Sequence, residues 1–442
     1  MIDTKIPKNI LNKLKKVVDD TVIISRTTDT NQVKFSNNKV SITQNWVNNS
    51  ISIFVAKDKK IVTTTIQDFR NASIEKSIGL IKKNLSLMGP NDEYLGIAEG
   101  PFKYKKVEDL YDKEVVNYDF SDKLEAGINK SLEVGAKRTS GLLEASEAEY
   151  LLLTSNNVEA IDKSSLIHFS VRSFFDNDAS GHITNSSRIL KNFHIEKSCK
   201  EASEIAVQSK NPQTGKKGAF DIIFSPLAFA PLLDRIGDAT SSFNVDARLS
   251  FLADKLNHNV ADENIVLRDD GTLKNGIGST KFDSEGVPTQ DNIIINKGIL
   301  KTYLHNSSTA KKFNVETTAN AGLIAPQPWN LVLESIYPLS KEKLFKEIKN
   351  GLYVTNIWYT RFQNQETGEF STIPRDAIFV IKNGEINGCV KGIRISELMP
   401  RILQNIALTA NDSKQIKSWE AEIPCVLPHI LVRNVNITTS TN

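Results

Sequence analysis

The sequence has little of what marks secreted or membrane proteins. Only three of its 442 residues are cysteine, and Cys199, Cys389 and Cys425 lie far apart. An odd number of widely spaced cysteines is typical of reduced thiols in the cytosol and not of a disulfide framework. No apolar run reaches the roughly 18 residues that a membrane-spanning helix needs, and the first residues do not have the pattern of a signal peptide. We therefore expect a cytoplasmic protein with no membrane partner.

Neither sign of charge is in large excess. Lys and Arg number 55 and Asp and Glu number 52, which gives a formal net charge of +3. Binding to nucleic acid through phosphates needs a concentrated basic face, and the nearest approach to one is the short lysine run at Lys103, Lys105 and Lys106. A run of this length is usually solvated surface, so a nucleic-acid partner is not expected.

The common catalytic motifs are also missing. The sequence contains no glycine-rich phosphate loop, no Gly-x-Ser-x-Gly elbow and no Cys-x-x-Cys pair. None of the six histidines is followed at the i+4 position by a histidine or glutamate, the spacing that puts two ligands on one helical face; they are His168, His182, His194, His258, His305 and His429. Composition and simple motifs therefore assign no chemistry.

The most constrained stretch is Gly276–Leu300, which reads GIGSTKFDSEGVPTQDNIIINKGIL. Its isoleucine run predicts a buried strand, and Asn296-Lys297-Gly298 predicts a hairpin turn with glycine at a position of positive φ. The loop before this strand combines two carboxylates with a flexible and a rigid residue, Asp283, Glu285, Gly286 and Pro288. Such a loop has a required shape. We expect this stretch, which begins with Gly276 and Gly278, to form a structural or peptide-binding loop.

The pattern of strands and helices predicts an α+β protein of two domains. Residues 1–210 should form a helix-covered antiparallel sheet, with hairpin turns at Asn37-Asn38 and Asn48-Asn49. The polar segment from residue 211 predicts a boundary, and residues 218–442 should form a β-rich domain with packed helices. In that half, Pro226 suits the first turn of a helix. The apolar spacing further predicts helices at Val245–Leu252 and Glu397–Thr409.

Several segments, in collinear order over most of the chain, resemble the TldD/TldE family, also called PmbA or "modulator of DNA gyrase". The segments are GLLEASEAEYLLLTSNNVEAI (Gly141–Ile161), GIGS, FDSEGVPTQ and NKGILKTYL within Gly271–Leu304, GLYVTN (Gly351–Asn356), TGEFS (Thr367–Ser371), IKNGEI (Ile381–Ile386) and ALTANDS (Ala407–Ser413). The resemblance implies a relationship to a metallopeptidase that acts on small or unfolded peptides.

The subtype follows from the helix that begins at Pro226. In the TldD branch this helix carries the zinc-binding motif HExxxH. Here Asp234, Arg235 and Ala239 stand at the positions of the first histidine, the glutamate and the second histidine. Two imidazoles hold the metal and the carboxylate takes a proton from bound water, which an acid, a guanidinium and a methyl group cannot do. The resemblance is thus to TldE, the branch that does not bind the metal.

Other residues offer weaker alternatives. Cys425 lies near the family's C-terminal cysteine ligand, but a buried lone cysteine is the simpler interpretation. A metallopeptidase with unusual ligands would draw on His258, His305, Cys425 and His429. Asp283 and Glu285 could be an acid/base pair, although closing their own loop is the simpler role for them.

The resemblance therefore implies a chain with no catalytic residues, no metal and no cofactor of its own. It would pair with a TldD-type paralogue that carries zinc, as the non-catalytic subunit of a heterodimeric protease. Two alternatives stay open. One is a stand-alone homodimer that binds peptides, and the other is the metallopeptidase with unusual ligands.

Overall fold

The computed structural model describes residues 3–439 as three β-sheets with helices packed on them, which confirms the predicted α+β class. The first half contains α1 (Lys5–Leu14), β1 (Asp20–Ser36), β2 (Lys39–Lys57), β3 (Lys60–Ile66), α2 (Asn71–Leu87), α3 (Ser121–Val134), β4 (Arg138–Thr154), β5 (Glu159–Phe174), β6 (Ser180–Ser187) and α4 (Ile195–Gln208).

The second half is richer in short strands. It contains β7 (Gln213–Thr214), β8 (Gly218–Phe224), α5 (Pro226–Ala239), α6 (Ser242–Asp246), β9 (Ile265–Asp270), β10 (Asp291–Asn296), β11 (Ile299–Leu300), α7 (Ser307–Phe313), β12 (Leu331–Ser335), α8 (Lys341–Lys346), β13 (Asn350–Asn364), β14 (Glu369–Lys382), β15 (Glu385–Lys391), β16 (Ile393–Leu398), α9 (Met399–Gln404), β17 (Ile406–Thr409), β18 (Lys414–Ser418), β19 (Ala421–Leu427) and β20 (Ile430–Thr439).

The first sheet is antiparallel, with the strand order β3-β2-β1-β4-β5-β6. Alternate residues along a strand point to opposite faces of the sheet. One face of this sheet carries the four helices α1 to α4. Ile23 and Leu151 on that face pack against α1 and α2, and Phe169 packs against α3 and α4. The opposite face contributes Leu152 to a cluster with Phe282 of the second half. This face is therefore covered by the second half of the chain.

Strands β1 and β2 form one long hairpin, with one predicted turn at its tip and the other inside β2. Asn37 and Asn38 have φ of 50° and 66° and form the predicted turn. The turn predicted at Asn48-Asn49 is wrong, because both residues pair with β1 within one continuous strand. The Thr27 hydroxyl also bonds to the Asn49 side chain at 2.8 Å. Pairing across the sheet overrides the local preference of asparagine for turns.

The second and third sheets share the C-terminal half. The second has the order β11-β10-β9-β12-β19-β18. In the third, β13 pairs with both β8 and β14, so that β13, β8, β20, β16 and β14 close into a five-stranded barrel. Lys297 and Gly298 have φ of 50° and 75° in the β10–β11 hairpin, which confirms the predicted turn.

Two helix predictions in this half are wrong. At Val245–Leu252 the structure has only the end of the short helix α6, followed by turns. At Glu397–Thr409, one and a half turns of helix in α9 separate two strands, and these pair with the barrel strands β14 and β20. Short apolar strands joined by a helical turn mimic a helical period, because a window this short cannot separate the two patterns.

An irregular segment of residues 91–119 links the two halves. Its backbone N–H groups at Leu95 and Ala98 donate to Ser308 Oγ at 2.7 Å and Glu285 Oε2 at 3.2 Å, and the Tyr104 hydroxyl donates to the carbonyl of Gly286 at 2.9 Å. The predicted domain limits stay predictions, and their outer ends, residues 1–2 and 440–442, lie outside the described residues. Within residues 3–439, no helix has the length and apolar character that crossing a membrane requires.

Candidate functional site

A cleft of about 1480 Å³ separates the helix-free face of the first sheet from the second half of the chain. The first sheet contributes Tyr150, Leu152, Asp162 and Ser164. The opposite wall is built from α5, from the loop before β12 and from the ends of β13 and β19; its lining includes Asp234, Arg235, Asp238, Gly322–Trp329, Thr360–Gln363, Trp419, Glu420 and Glu422–Pro424. A concave space of this size is the default candidate for a binding site.

Helix α5 places three charged side chains on the cleft wall. The helix starts where the sequence predicts, because the Ser225 hydroxyl accepts from the N–H of Ala228 at 3.1 Å and Pro226 occupies the first turn. Asp234 and Asp238 are one helical turn apart and line the cleft with Arg235 between them. Arg235 Nη1 lies 3.3 Å from Asp238 Oδ2 and 4.0 Å from Asp234 Oδ2.

Asp234 is the most buried of these three side chains, and its carboxylate is already hydrogen-bonded to the backbone. Its Oδ1 accepts the backbone N–H of Ile423 in β19 at 2.8 Å, and only 4% of the residue is exposed. Burial disfavours the carboxylate and raises the pKa of Asp234 to about 7, against a lowering by the Ile423 hydrogen bond. The same cause raises the pKa of Asp238. Asp234 therefore ties α5 to β19.

The loop Gly276–Lys281 forms the floor of the cleft. Two residues in or next to the first sheet, Arg188 and Asp162, hold this loop by hydrogen bonds. The buried guanidinium of Arg188 donates from Nε to the carbonyl of Gly276 at 2.6 Å and from Nη2 to the carbonyls of Ile277 and Ser279. Asp162 Oδ2 accepts from the hydroxyl of Thr280 at 3.0 Å and from the N–H of Lys281 at 2.9 Å. These bonds join the loop to the first sheet.

The acidic loop that follows is closed by its own carboxylates. Asp283 Oδ1 accepts from the N–H groups of Glu285 and Val287, both at 2.9 Å, and its Oδ2 accepts from Ala321 at 3.0 Å. Burial raises the pKa of Asp283 to about 8, and it also raises the pKa of Glu285. Gly286 has φ of 88°, a conformation that glycine adopts without strain. The hydrogen bonds of Asp283 are thus with backbone, and Glu285 Oε2 accepts from the N–H groups of Ala98 and Ser307.

The four residues considered as unusual metal ligands lie among separate partners. His258 is exposed, and its Nδ1 bonds to the carbonyl of Leu256, while the ring of His305 contacts Thr309 and Phe313. Buried Cys425 donates to the carbonyl of Ile423 at 3.2 Å. His429 lies between Asp412 Oδ2 at 2.7 Å and the Tyr353 hydroxyl at 3.1 Å. The structure does not bring these four side chains together.

Three residues of the cleft are not predicted from the sequence. Asp162 and Arg188 sit in ordinary strand-like sequence, and the motif they hold lies about 90 to 120 residues away. Trp419, which is 53% exposed, lines the cleft next to β18. Asp162 and Arg188 could not be predicted, because hydrogen bonds to the backbone of a distant loop leave no sequence pattern. An aromatic residue between polar neighbours, Ser418-Trp419-Glu420, was the one available sign.

Residues 217–439 match the family model described as the PmbA/TldA metallopeptidase C-terminal domain, which is half of the chain. The chain belongs to the PmbA/TldD metallopeptidase family. An uncharacterized protein of Methanocaldococcus jannaschii is 26% identical over 389 residues, 84% of this chain and 86% of that protein. The metalloprotease PmbA of Escherichia coli O157:H7 is 31% identical over 191 residues, 43% of this chain and 41% of PmbA. The second match spans less than half of either protein.

Two solved structures share the whole fold of this family member. TldE from Thermococcus kodakarensis superimposes with a TM-score of 0.87 at 21% identity, over 98% of this chain and all of that one. A candidate modulator of a DNA gyrase from Thermotoga maritima has a TM-score of 0.85 at 24% identity, over 98% of this chain and 99% of that one. At these identities the likeness concerns the fold alone.

The residues that the sequence resemblance aligns with the family's zinc motif do not form a zinc ligand set. Structural and catalytic zinc sites use three or four nitrogen, sulfur or carboxylate donors around the ion. Here Asp234 is bonded to Ile423 and faces a guanidinium, and Ala239 supplies no donor. Across residues 3–439 no group of three or more His, Cys, Asp or Glu side chains is arranged to hold a metal ion. We therefore derive no metal chemistry for this chain.

Proposed function

We propose that this chain is the TldE/PmbA-like subunit of a heteromeric peptidase, in which a TldD-type partner carries zinc and this chain carries none. The complex would cleave small or unfolded peptides in the cytoplasm. One observation carries the proposal: the family's metal helix, α5, faces a large cleft but presents Asp234 and Arg235 to it, and Asp234 is bonded to Ile423. The helix lines the cleft, but Asp234, Arg235 and Ala239 do not supply the two imidazoles and the carboxylate of the motif.

The cleft suits an extended peptide. Strand β13 pairs with β8 only over Gly351–Val354, and no other strand among residues 3–439 continues on that side. Its later residues Thr360–Gln363 line the cleft, and among them Arg361 and Phe362 pair with β14 on the other side only. A strand edge of this kind can accept a peptide as an added strand through main-chain hydrogen bonds. This chain would then bind or guide the peptide for the active site of its partner.

The decisive experiment combines this chain with a paralogue that has an intact HExxxH. Hydrolysis of a fluorogenic peptide library is measured for each chain alone and for the mixture, after metal removal and zinc repletion. We expect co-purification, and activity only in the mixture. A mixture whose paralogue has glutamine in place of the motif's glutamate is the control and should be inactive. In parallel, elemental analysis of this chain, purified without a histidine tag, should find zinc far below one ion per chain.

Each outcome decides between the functions considered. Peptide cleavage by this chain alone, with zinc near one ion per chain, would overturn the proposal in favour of a metallopeptidase with unusual ligands. An inactive mixture, together with peptide binding by this chain as a homodimer, would replace it with a stand-alone peptide-binding protein. Activity of the paralogue that is unchanged by this chain would also contradict the subunit role.

A further inference from the structure

Three aromatic rings form a corner at the rim of the cleft. Trp358 and Trp419 meet edge to face with their ring centres 5.2 Å apart, and Tyr359 lies 6.1 Å from Trp419 at an angle of 81°. Trp419 lines the cleft and is 53% exposed, while Tyr359 is 47% exposed. Trp419 and Tyr359 thus leave about half of their surface exposed to solvent, whereas aromatic side chains normally bury most of their area.

The backbone at this corner has a strained conformation. Tyr359 has φ of 58°, a left-handed conformation that is a genuine outlier for a bulky residue. The pairing of β13 with β14 is interrupted at this point, between Trp358 and Arg361. The next N–H, that of Thr360, is bonded to Glu420 Oε2 at 3.1 Å. Strain of this kind persists only where the surroundings fix it, and it concentrates at binding sites.

Polar groups around the corner add a second sign of a ligand. The residue Glu420 is 5% exposed, lines the cleft and has one carboxylate oxygen, Oε1, with no hydrogen-bond partner among residues 3–439. A buried acceptor without a donor is costly. Below the corner, Trp358 is fixed by Arg172 and Arg375, whose guanidinium carbons lie 4.4 and 5.3 Å from its ring centre. The corner thus combines a rigid base, open rings and an unused acceptor.

We propose that Trp419 and Tyr359 form a subsite for a bulky aromatic side chain of an extended peptide. The peptide would run along the free edge of β13, which begins after the pairing with β8 ends at Val354, passes the corner and lines the cleft from Thr360 to Gln363. Edge-to-face contact would cover the exposed rings. The inference rests on the peptide-binding role proposed above and adds a preference for peptides with phenylalanine, tyrosine or tryptophan.

The test uses fluorescein-labelled alanine pentapeptides whose central residue is phenylalanine, alanine, leucine, lysine or glutamate. Their binding to the full chain, alone and with its paralogue, is measured by fluorescence anisotropy. We expect the phenylalanine peptide to bind about tenfold more tightly than the alanine peptide, the scale of one aromatic contact with its buried area. Trp419→Ala should remove this difference between the phenylalanine and alanine peptides, and Tyr359→Gly, which suits the positive φ, should reduce it.

Tyr337→Ala is the matched control, since Tyr337 is 73% exposed and does not line the cleft; it should keep the full preference, and thermal unfolding should verify that each variant folds. Equal binding of the phenylalanine and alanine peptides by the wild-type chain would overturn the subsite while leaving peptide binding intact. Tightest binding of the lysine, leucine or glutamate peptide, or an equal loss for all peptides in Trp419→Ala, would also overturn it. If no peptide binds, the proposed function and the subsite both fail.

Discussion

Arg188 Nε donates to the carbonyl of Gly276 at 2.6 Å, and this bond joins the end of the first sheet to the floor of the cleft. The same guanidinium also reaches the carbonyls of Ser165 and Ser279, each at 3.1 Å, and only 6% of Arg188 is exposed. A planar fork with five donors can satisfy several carbonyls at once, which lysine cannot do. The conformation of the loop Gly276–Lys281 thus depends on Arg188 as well as on the loop's own sequence.

Arg188→Lys should therefore destabilise the protein. At least two buried carbonyls would lose their donor, and each costs about 1–3 kcal/mol when left unsatisfied. We expect the free energy of unfolding in urea to fall by about 3 kcal/mol. Arg248→Lys is the control, because Arg248 forms an exposed ion pair with Asp254, and such pairs contribute about 0–1 kcal/mol. Equal effects of the two changes would contradict the proposed hold on the loop.

Asp234 should make stability depend on pH. Its pKa is about 7 in the folded chain against an ordinary value of 3.8, so between these values the folded state holds a proton that the unfolded state has lost. The stabilisation is fully present below the lower value and is lost as the pH rises through the higher one. Each unit of raised pKa corresponds to about 1.4 kcal/mol.

Asp234→Asn keeps an oxygen for the N–H of Ile423 but removes this titration. We expect the thermal midpoint of the variant to fall less than that of the wild type between about pH 4 and pH 7. Differential scanning fluorimetry across this range measures it, and the exposed Asp254→Asn change should follow the wild-type curve. Parallel curves for Asp234→Asn and the wild type would show that Asp234 does not carry the raised pKa.

Gly278 should not tolerate a side chain. A methyl group there would overlap the carbonyl oxygen of Trp329, which belongs to the backbone and cannot rotate away. We expect Gly278→Ala to lower the free energy of unfolding by about 1–3 kcal/mol through overpacking. Gly79→Ala is the opposite control, because Gly79 is exposed within α2 and has open space around it. That change should stabilise the chain by about 0.5–1 kcal/mol.

The three thiols should be unreactive in the folded protein. All are buried, and burial raises the pKa of Cys199 to about 12 and that of Cys425 well above its ordinary value. Because the thiolate is the nucleophile, we expect a disulfide reagent such as Ellman's to titrate no cysteine within minutes and all three in denaturant. Fast reaction of one thiol in the native protein would mean that its surroundings open.

Local features predict two of the turns and the start of α5, but not the long-range contacts. Asn37-Asn38 and Lys297-Gly298 favour positive φ by their own chemistry, and Pro226 suits the first turn of a helix. The positions on α5 came from resemblance to a family. By contrast, Asn49 was wrongly assigned to a turn because its partner in β1 is 22 residues away. The cleft itself depends on contacts such as Arg188 with Gly276, which are 88 residues apart.

The hydrogen bond between Asp234 and Ile423 has a consequence for any attempt to install zinc in this chain. A histidine at residue 234 would draw the acceptor away from a half-buried N–H of β19, and that strand would then need a new partner. Substituting the helix residues alone would supply zinc ligands but leave the N–H of Ile423 without its acceptor. Building HExxxH into α5 would therefore require a compensating change in β19, a segment 189 residues away in the sequence.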